Sequence, residues 1–127
     1  MNKNSNIGFI GLGNMGKPIF NHLNKKFSRV FCFDKDISKL KKNNFSSSLI
    51  EIFEKCRVII FCIESNEQVI DIIKENKIKK NMIIVDLTSS LPDLTRIISS
   101  YLKNLNHITL MQVCQEVLQE HQMVHLL

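Results

Sequence analysis

The residues best suited to chemistry are three glycines, Gly11, Gly13 and Gly16, spaced G-x-G-x-x-G within Ile7-Gly8-Phe9-Ile10-Gly11-Leu12-Gly13-Asn14-Met15-Gly16. The chemistry they suit is anion binding on bare backbone. Gly11 lets the chain turn sharply out of the apolar run before it. Gly13 has no Cβ, so a pyrophosphate can come within hydrogen-bonding distance of the main chain. Gly16 lets the following helix lie close against its parent strand. N–H groups of the first helical turn, with the positive end of the helix dipole, then face the anion. A tight turn that binds nothing is the plainer alternative; the strand–turn–helix context favours binding.

A second phosphate motif overlaps the first. Gly11 to Lys17 satisfies G-x-x-x-x-G-K, which in a nucleoside-triphosphatase loop continues with a Ser or Thr that holds magnesium. Position 18 is Pro. Proline coordinates no metal, yet suits a first helical turn, where its missing N–H costs little. The triphosphatase reading fails there.

The next candidate is Asp34, 18 residues beyond Gly16, at the end of the apolar run Val30-Phe31-Cys32-Phe33. A dinucleotide fold places an acid near this offset to bind ribose hydroxyls. The alternative role for Asp34 is a cap on the segment from Ile37 to Lys42, which Asp36 or Ser38 can fill instead. An acid here favours NAD over NADP, because it repels a 2′-phosphate; Lys35 softens that preference.

These residues need elements to hold them. Ile7 to Ile10 reads as a buried strand, and Met15, Ile19, Phe20, Leu23 and Phe27 follow at close to helical spacing, predicting a helix over 14–26. Arg29 to Asp34 is a second strand. Ser48-Leu49-Ile50-Glu51 is a capping box opening a short helix to Lys55. Val58 to Ile63, apolar throughout, predicts a strand buried on both faces. A helix over 66–76 turns Val69, Ile70 and Ile73 inward. Met82 to Asp86 is a fourth strand, and Pro92 starts a helix through Lys103 with Leu94, Ile97, Ile98, Tyr101 and Leu102 on its apolar side. His107 to Leu110 is a fifth strand. Strands alternating with helices predict an α/β class, a Rossmann-type doubly wound parallel sheet in a single domain.

Composition narrows the function classes. The chain has 127 residues, 44% of them hydrophobic, and a net charge of +5. No apolar run approaches the roughly 20 residues of a membrane span, and the polar start makes a poor signal peptide. A cytoplasmic location with no membrane partner is expected. The lysines, among them Lys25, Lys26, Lys39, Lys41, Lys42, Lys74, Lys77, Lys79 and Lys80, have no interleaved aromatics to stack on bases. They read as a solvated surface, with no nucleic-acid partner. Cys32, Cys56, Cys62 and Cys114 form no C-x-x-C pair and are expected as reduced thiols. His22, His107, His121 and His125 show no metal-ligand spacing, so no metal site is expected.

Together these residues resemble the cofactor domain of the β-hydroxyacid dehydrogenase family, the group of 3-hydroxyisobutyrate and 6-phosphogluconate dehydrogenases. The signature G-F-I-G-L-G-x-M-G-x-P stands unbroken from Gly8 to Pro18, and the family's D-x-S-T element reads Asp86-Leu87-Thr88-Ser89, followed by Pro92. The resemblance covers Ile7 to about Leu110. It implies that Leu12, Asn14 and Met15, with Gly11, Gly13 and Gly16, line a pyrophosphate site, and that Asp34 meets the adenosine ribose. Ile63-Glu64 and Thr88 would approach the nicotinamide. The family usually has Leu-Pro at Ile63-Glu64 and a small residue at Phe20, which here must be accommodated by repacking.

The resemblance stops near Leu110. The family continues with D-A-P-V-S-G-G, a substrate element, and later an all-helical domain carrying a catalytic Lys. Residues 111–127 contain no glycine. Read from the third base of the Leu110 codon, however, the genetic code permits Asp-Ala-(Gly or Ser)-Val-Ser-Gly-Gly-Val-Thr-Gly-Ala-x-Asn-Gly-Thr-Leu. The tail is therefore expected to be out of frame, with the substrate domain absent, and the encoding DNA checks this directly. The alternative is a real amphipathic terminal helix with Val113, Val117, Leu118 and His121 on one face. On the first reading the chain is a 3-hydroxyacid dehydrogenase cofactor domain that binds without turnover and self-associates through the surface left for the missing domain. The other functional class is a non-catalytic dinucleotide-binding or interaction module.

Overall fold

The computed structural model describes residues 3–40, 47–88, 92–104 and 109–112. The strands are β1 (Ile7–Ile10), β2 (Val30–Phe33), β3 (Val58–Phe61), β4 (Ile83–Asp86) and β5 (Thr109–Gln112). They form one parallel sheet in the order β2-β1-β3-β4-β5. The helices are α1 (Gly16–Lys26), α2 (Leu49–Lys55), α3 (Asn66–Glu75) and α4 (Pro92–Asn104), with a 3-10 turn at Ile37–Lys39. The expected α/β doubly wound sheet is what forms. Strand β5 lies slightly later than its expected place and includes Met111 and Gln112, beyond the boundary drawn at 110. His107, Cys114, His121, His125, Ser89, Lys41, Lys42 and the remainder of the tail lie outside the described residues.

Right-handed crossovers account for the layering. The chain leaves β1 toward β2 in one direction, then returns across β1 to β3 and continues to β4 and β5. Helix α1 thus covers one face and α2, α3 and α4 the other. Each face has its own core. Phe20 and Leu23 of α1 meet Ile7, Phe9, Val30, Val58 and Ile60 on one side. Ile52, Phe53, Val69, Ile73, Ile98 and Leu102 meet Ile10, Ile59, Phe61 and Ile84 on the other. Strands β1 and β3, sandwiched between both layers, are buried at every position, whereas edge strand β2 alternates between buried and half-buried. Each fully buried Ile or Phe contributes about 1.5–3 kcal/mol by leaving water.

Local chemistry sets the helix ends. Ser48 accepts the Glu51 N–H and Ser65 the Gln68 N–H, each capping its helix with a side-chain oxygen. Phe20 is accommodated against Phe9, their ring centroids 5.9 Å apart and tilted by 58°, within the favourable range for an aromatic pair.

Candidate functional site

Helix α1 leaves β1 toward one side and α3 leaves β3 toward the other, so a crevice opens at the carboxyl ends of these two adjacent strands. That is the topological switch point where open α/β sheets bind ligands. A cleft of about 260 Å³ lies there, lined by the Gly11–Gly16 turn, Phe33, Asp34 and Lys35 after β2, and Ile63, Glu64 and Gln68 on the β3–α3 side.

Two of the three glycines are required by the fold. Gly11 has φ +106°, and a Cβ there would lie 2.1 Å from the Cys62 carbonyl oxygen. A Cβ on Gly16 would lie 2.1 Å from the Gly11 carbonyl oxygen. Gly13 differs, because a Cβ built on it meets nothing within 4 Å. Its bareness serves no packing and leaves room beside the backbone for a ligand. Helix α1 has no side-chain cap at Met15 and no acid in its first turn, unlike α2 and α3, which carry Ser caps and Glu51 or Glu67 in theirs. The turn and helix start thus present backbone and dipole to an anion, with no acid of the helix's own to offset them.

Asp34 braces this turn. It is only 9% exposed; its Oδ2 accepts the Leu12 N–H at 2.7 Å and its Oδ1 the Asp36 N–H at 2.8 Å. Asp36, not Asp34, caps the 3-10 turn, accepting from Ser38 N–H and Oγ–H. The Asp34 oxygens still have lone pairs for ribose hydroxyls, since each carboxylate oxygen can accept two bonds.

On the far side, Ile63 donates its N–H to Thr88 Oγ1 at 3.3 Å, tying the turn after β3 to the turn after β4. Thr88 N–H in turn donates to Asp86 Oδ1 at 2.8 Å, and Asn66 Nδ2 to Asp86 Oδ2 at 2.9 Å. Burial pushes the Asp86 carboxyl above the ordinary carboxylate range, against the pull of these hydrogen bonds. The folded protein therefore takes up this proton before the unfolded chain does. The charged form costs stability above the folded pKa, and the cost disappears as pH falls to the unfolded value. Asp86→Asn is accordingly expected to be stabilising at pH 7 by about 1 kcal/mol, since Asn66 can turn its amide and offer its buried, unpartnered Oδ1 to the new donor. The gain should shrink toward pH 4. Asp86→Ala, which strands the Thr88 and Asn66 donors, should lose about 2–4 kcal/mol. Thermal unfolding between pH 4 and 8 checks both; a destabilised Asp86→Asn protein at neutral pH would contradict the account.

Of the residues singled out in the sequence, Gly11, Gly13, Asn14, Met15, Gly16, Asp34, Ile63 and Glu64 line one cleft. Leu12 and Thr88 do not: each is 2% exposed, and they act through Leu12 N–H and Thr88 Oγ1 on the residues that do. Lys39, Gln68 and Ile72 also line the cleft, although nothing in their local pattern separates them from solvated or packing positions. Cys62 lines it too, its thiol pushed up to about 11 by burial and the neighbouring Asp86, so it is a protonated thiol at neutral pH and no nucleophile. Cys32 and Cys56 are buried free thiols. Among the described residues no group of His, Cys, Asp and Glu could hold a metal ion. None of their helices is long and apolar enough to cross a membrane.

Residues 6–112 match the family described as the NAD binding domain of 6-phosphogluconate dehydrogenase. The chain belongs to this family. The match begins at the residue before β1, ends with β5 and contains the whole cleft, so the fold is that of an NAD(P)-binding domain. Solved structures share it at low identity. A reductive aminase from Aspergillus terreus, in complex with NADPH and ethyl levulinate, superposes with a TM-score of 0.75 at 16% identity, over 86% of this chain and 40% of that one. The Mycobacterium tuberculosis 3-hydroxyisobutyrate dehydrogenase with L-serine gives 0.74 at 19% identity, with the same coverages of 86% and 40%. An imine reductase variant from Myxococcus stipitatus, in complex with NAD+, gives 0.74 at 13% identity, again over 86% and 40%. The chain thus spans about two fifths of the length of these relatives. No curated protein matches the sequence.

Proposed function

We propose that this chain binds a nicotinamide dinucleotide across the carboxyl ends of β1 and β3, as the cofactor half of an oxidoreductase acting on a β-hydroxy acid. The observation that carries the proposal is Gly13, bare and unpacked beside an uncapped helix start at the switch point. The pyrophosphate would lie on the main chain of Gly13 to Gly16. Leu12 would contribute only the shape of the turn, because its N–H is held by Asp34. Asp34 would meet the adenosine ribose with its remaining lone pairs. Ile63 and Thr88, joined by their hydrogen bond, would border the nicotinamide end.

The nicotinamide, when bound, supplies the hydride acceptor; this chain's residues bind and orient it. NAD is favoured over NADP by the Asp34 carboxylate, although relatives of the same fold have been solved with NADPH and with NAD+. No lysine of this sequence matches the family's catalytic Lys, so turnover is expected to need residues outside it. Calorimetric titration with NAD+ and NADH tests the reading. Binding at about millimolar affinity or tighter, without hydride transfer from 3-hydroxyisobutyrate, is the expected result. Folded protein that gives neither heat nor thermal protection with either cofactor would overturn it. A non-catalytic sensing module shares the binding and would differ in giving no transfer even when the rest of a dehydrogenase is supplied.

A further inference from the structure

The cleft has a charged crossing at its mouth. Lys35, directly after Asp34 at the end of β2, reaches Glu64 in the turn after β3, Nζ to Oε2 at 3.6 Å. Both side chains are exposed, at 70% and 78%, and both line the cleft. The other charges at this end are Asp34, Asp36 and Lys39. The Asp34 oxygens accept Leu12 and Asp36 N–H groups, and Asp36 Oδ1 accepts from Ser38. Both carboxylates are thus held against the polypeptide. Lys35 stands on a long exposed stem, directly after the residue proposed to meet the adenosine ribose.

We infer that Glu64 sets cofactor choice by holding Lys35 across the cleft and withholding it from a ribose 2′-phosphate, so that the unphosphorylated dinucleotide is favoured. The inference deepens the dinucleotide reading above and rests on it. A 2′-phosphate carries close to two negative charges at neutral pH, by analogy with other phosphate monoesters. It gains most from an ammonium that is free to turn toward it. A ribose hydroxyl gains little, since it is served by the Asp34 lone pairs. The crossing therefore penalises one cofactor and spares the other. Being exposed, it acts gently, changing a binding constant by no more than several-fold, and it weakens as salt screens it.

A double-mutant cycle read by calorimetric titration with NAD+ and NADP+ tests this. Both positions lie on the surface, and circular dichroism confirms folding of each variant. Glu64→Gln is expected to raise the affinity for NADP+ relative to NAD+ about two- to fivefold. The gain should be lost in the Lys35→Gln background and should diminish in about 0.5 M salt. Equal gains with and without Lys35 would mean that Glu64 repels the phosphate directly, and would overturn the clasp. An unchanged cofactor ratio in Glu64→Gln, with both cofactors still binding, would overturn it and leave the dinucleotide site standing. Failure of every folded variant and the parent to bind either cofactor would remove the site reading, and the clasp with it.

Discussion

Gly13→Val is expected to leave the protein folded, within about 1 kcal/mol of the parent in stability, while weakening dinucleotide binding by about a hundredfold or more. The separation follows from the space around this one position. Nothing lies within 4 Å of a Cβ placed there, so the new methyl groups meet no protein atom at their root. On the proposed binding mode they project where a pyrophosphate would approach the backbone. Losing that approach removes about 3 kcal/mol or more of hydrogen bonding and dipole attraction, and each 1.4 kcal/mol is about tenfold in affinity. Thermal melting together with titration of NAD+ measures both halves. A folded Gly13→Val protein with undiminished binding would show that the phosphates do not sit on this turn.

Gly16→Ala is expected to do the reverse, damaging the fold itself. Alanine is favoured over glycine in helices by about 1 kcal/mol, and Gly16 is the first residue of α1. Helix propensity alone therefore argues for a gain. The tertiary contact reverses the sign, because the new Cβ would stand 2.1 Å from the Gly11 carbonyl oxygen and 3.3 Å from Phe9 Cε1. Backbone on one side and a buried ring on the other leave no flexible atom to give way. The helix must lift off β1, at a cost of about 3 kcal/mol or more, a large share of the roughly 5–15 kcal/mol that hold a domain together. Urea unfolding measures it, and a midpoint equal to or above that of the parent would refute the close approach. Gly11→Ala should fare no better, since its Cβ meets the Cys62 carbonyl oxygen and φ +106° is strained for any L side chain.

These glycines show where local pattern stops being informative. Their spacing identified the turn and a dinucleotide family, and treats all three alike. Only the neighbours distinguish Gly11 and Gly16, pressed against backbone, from Gly13, which faces open space. Asp34 is a second case. Its offset from Gly16 makes it a candidate for the ribose, whereas the structure shows it tying Leu12 N–H to the end of β2, a bond across 22 residues that no local pattern encodes.

By itself the sequence determined the succession of strands and helices, the parallel sheet, the Ser48 cap and the phosphate-type turn. Apolar periodicity, capping residues and glycine are short-range properties, and a chain expresses them wherever it goes. The tertiary structure alone decided the strand order β2-β1-β3-β4-β5, and with it which loops share a crevice. Placing β1 between β2 and β3 brings Lys35 to Glu64 and sets Lys39, Gln68 and Ile72 around the same cleft. The meeting of such residues depends on how whole crossovers stack on the two faces of the sheet, and the burial of apolar surface that drives that stacking is a property of the assembled chain.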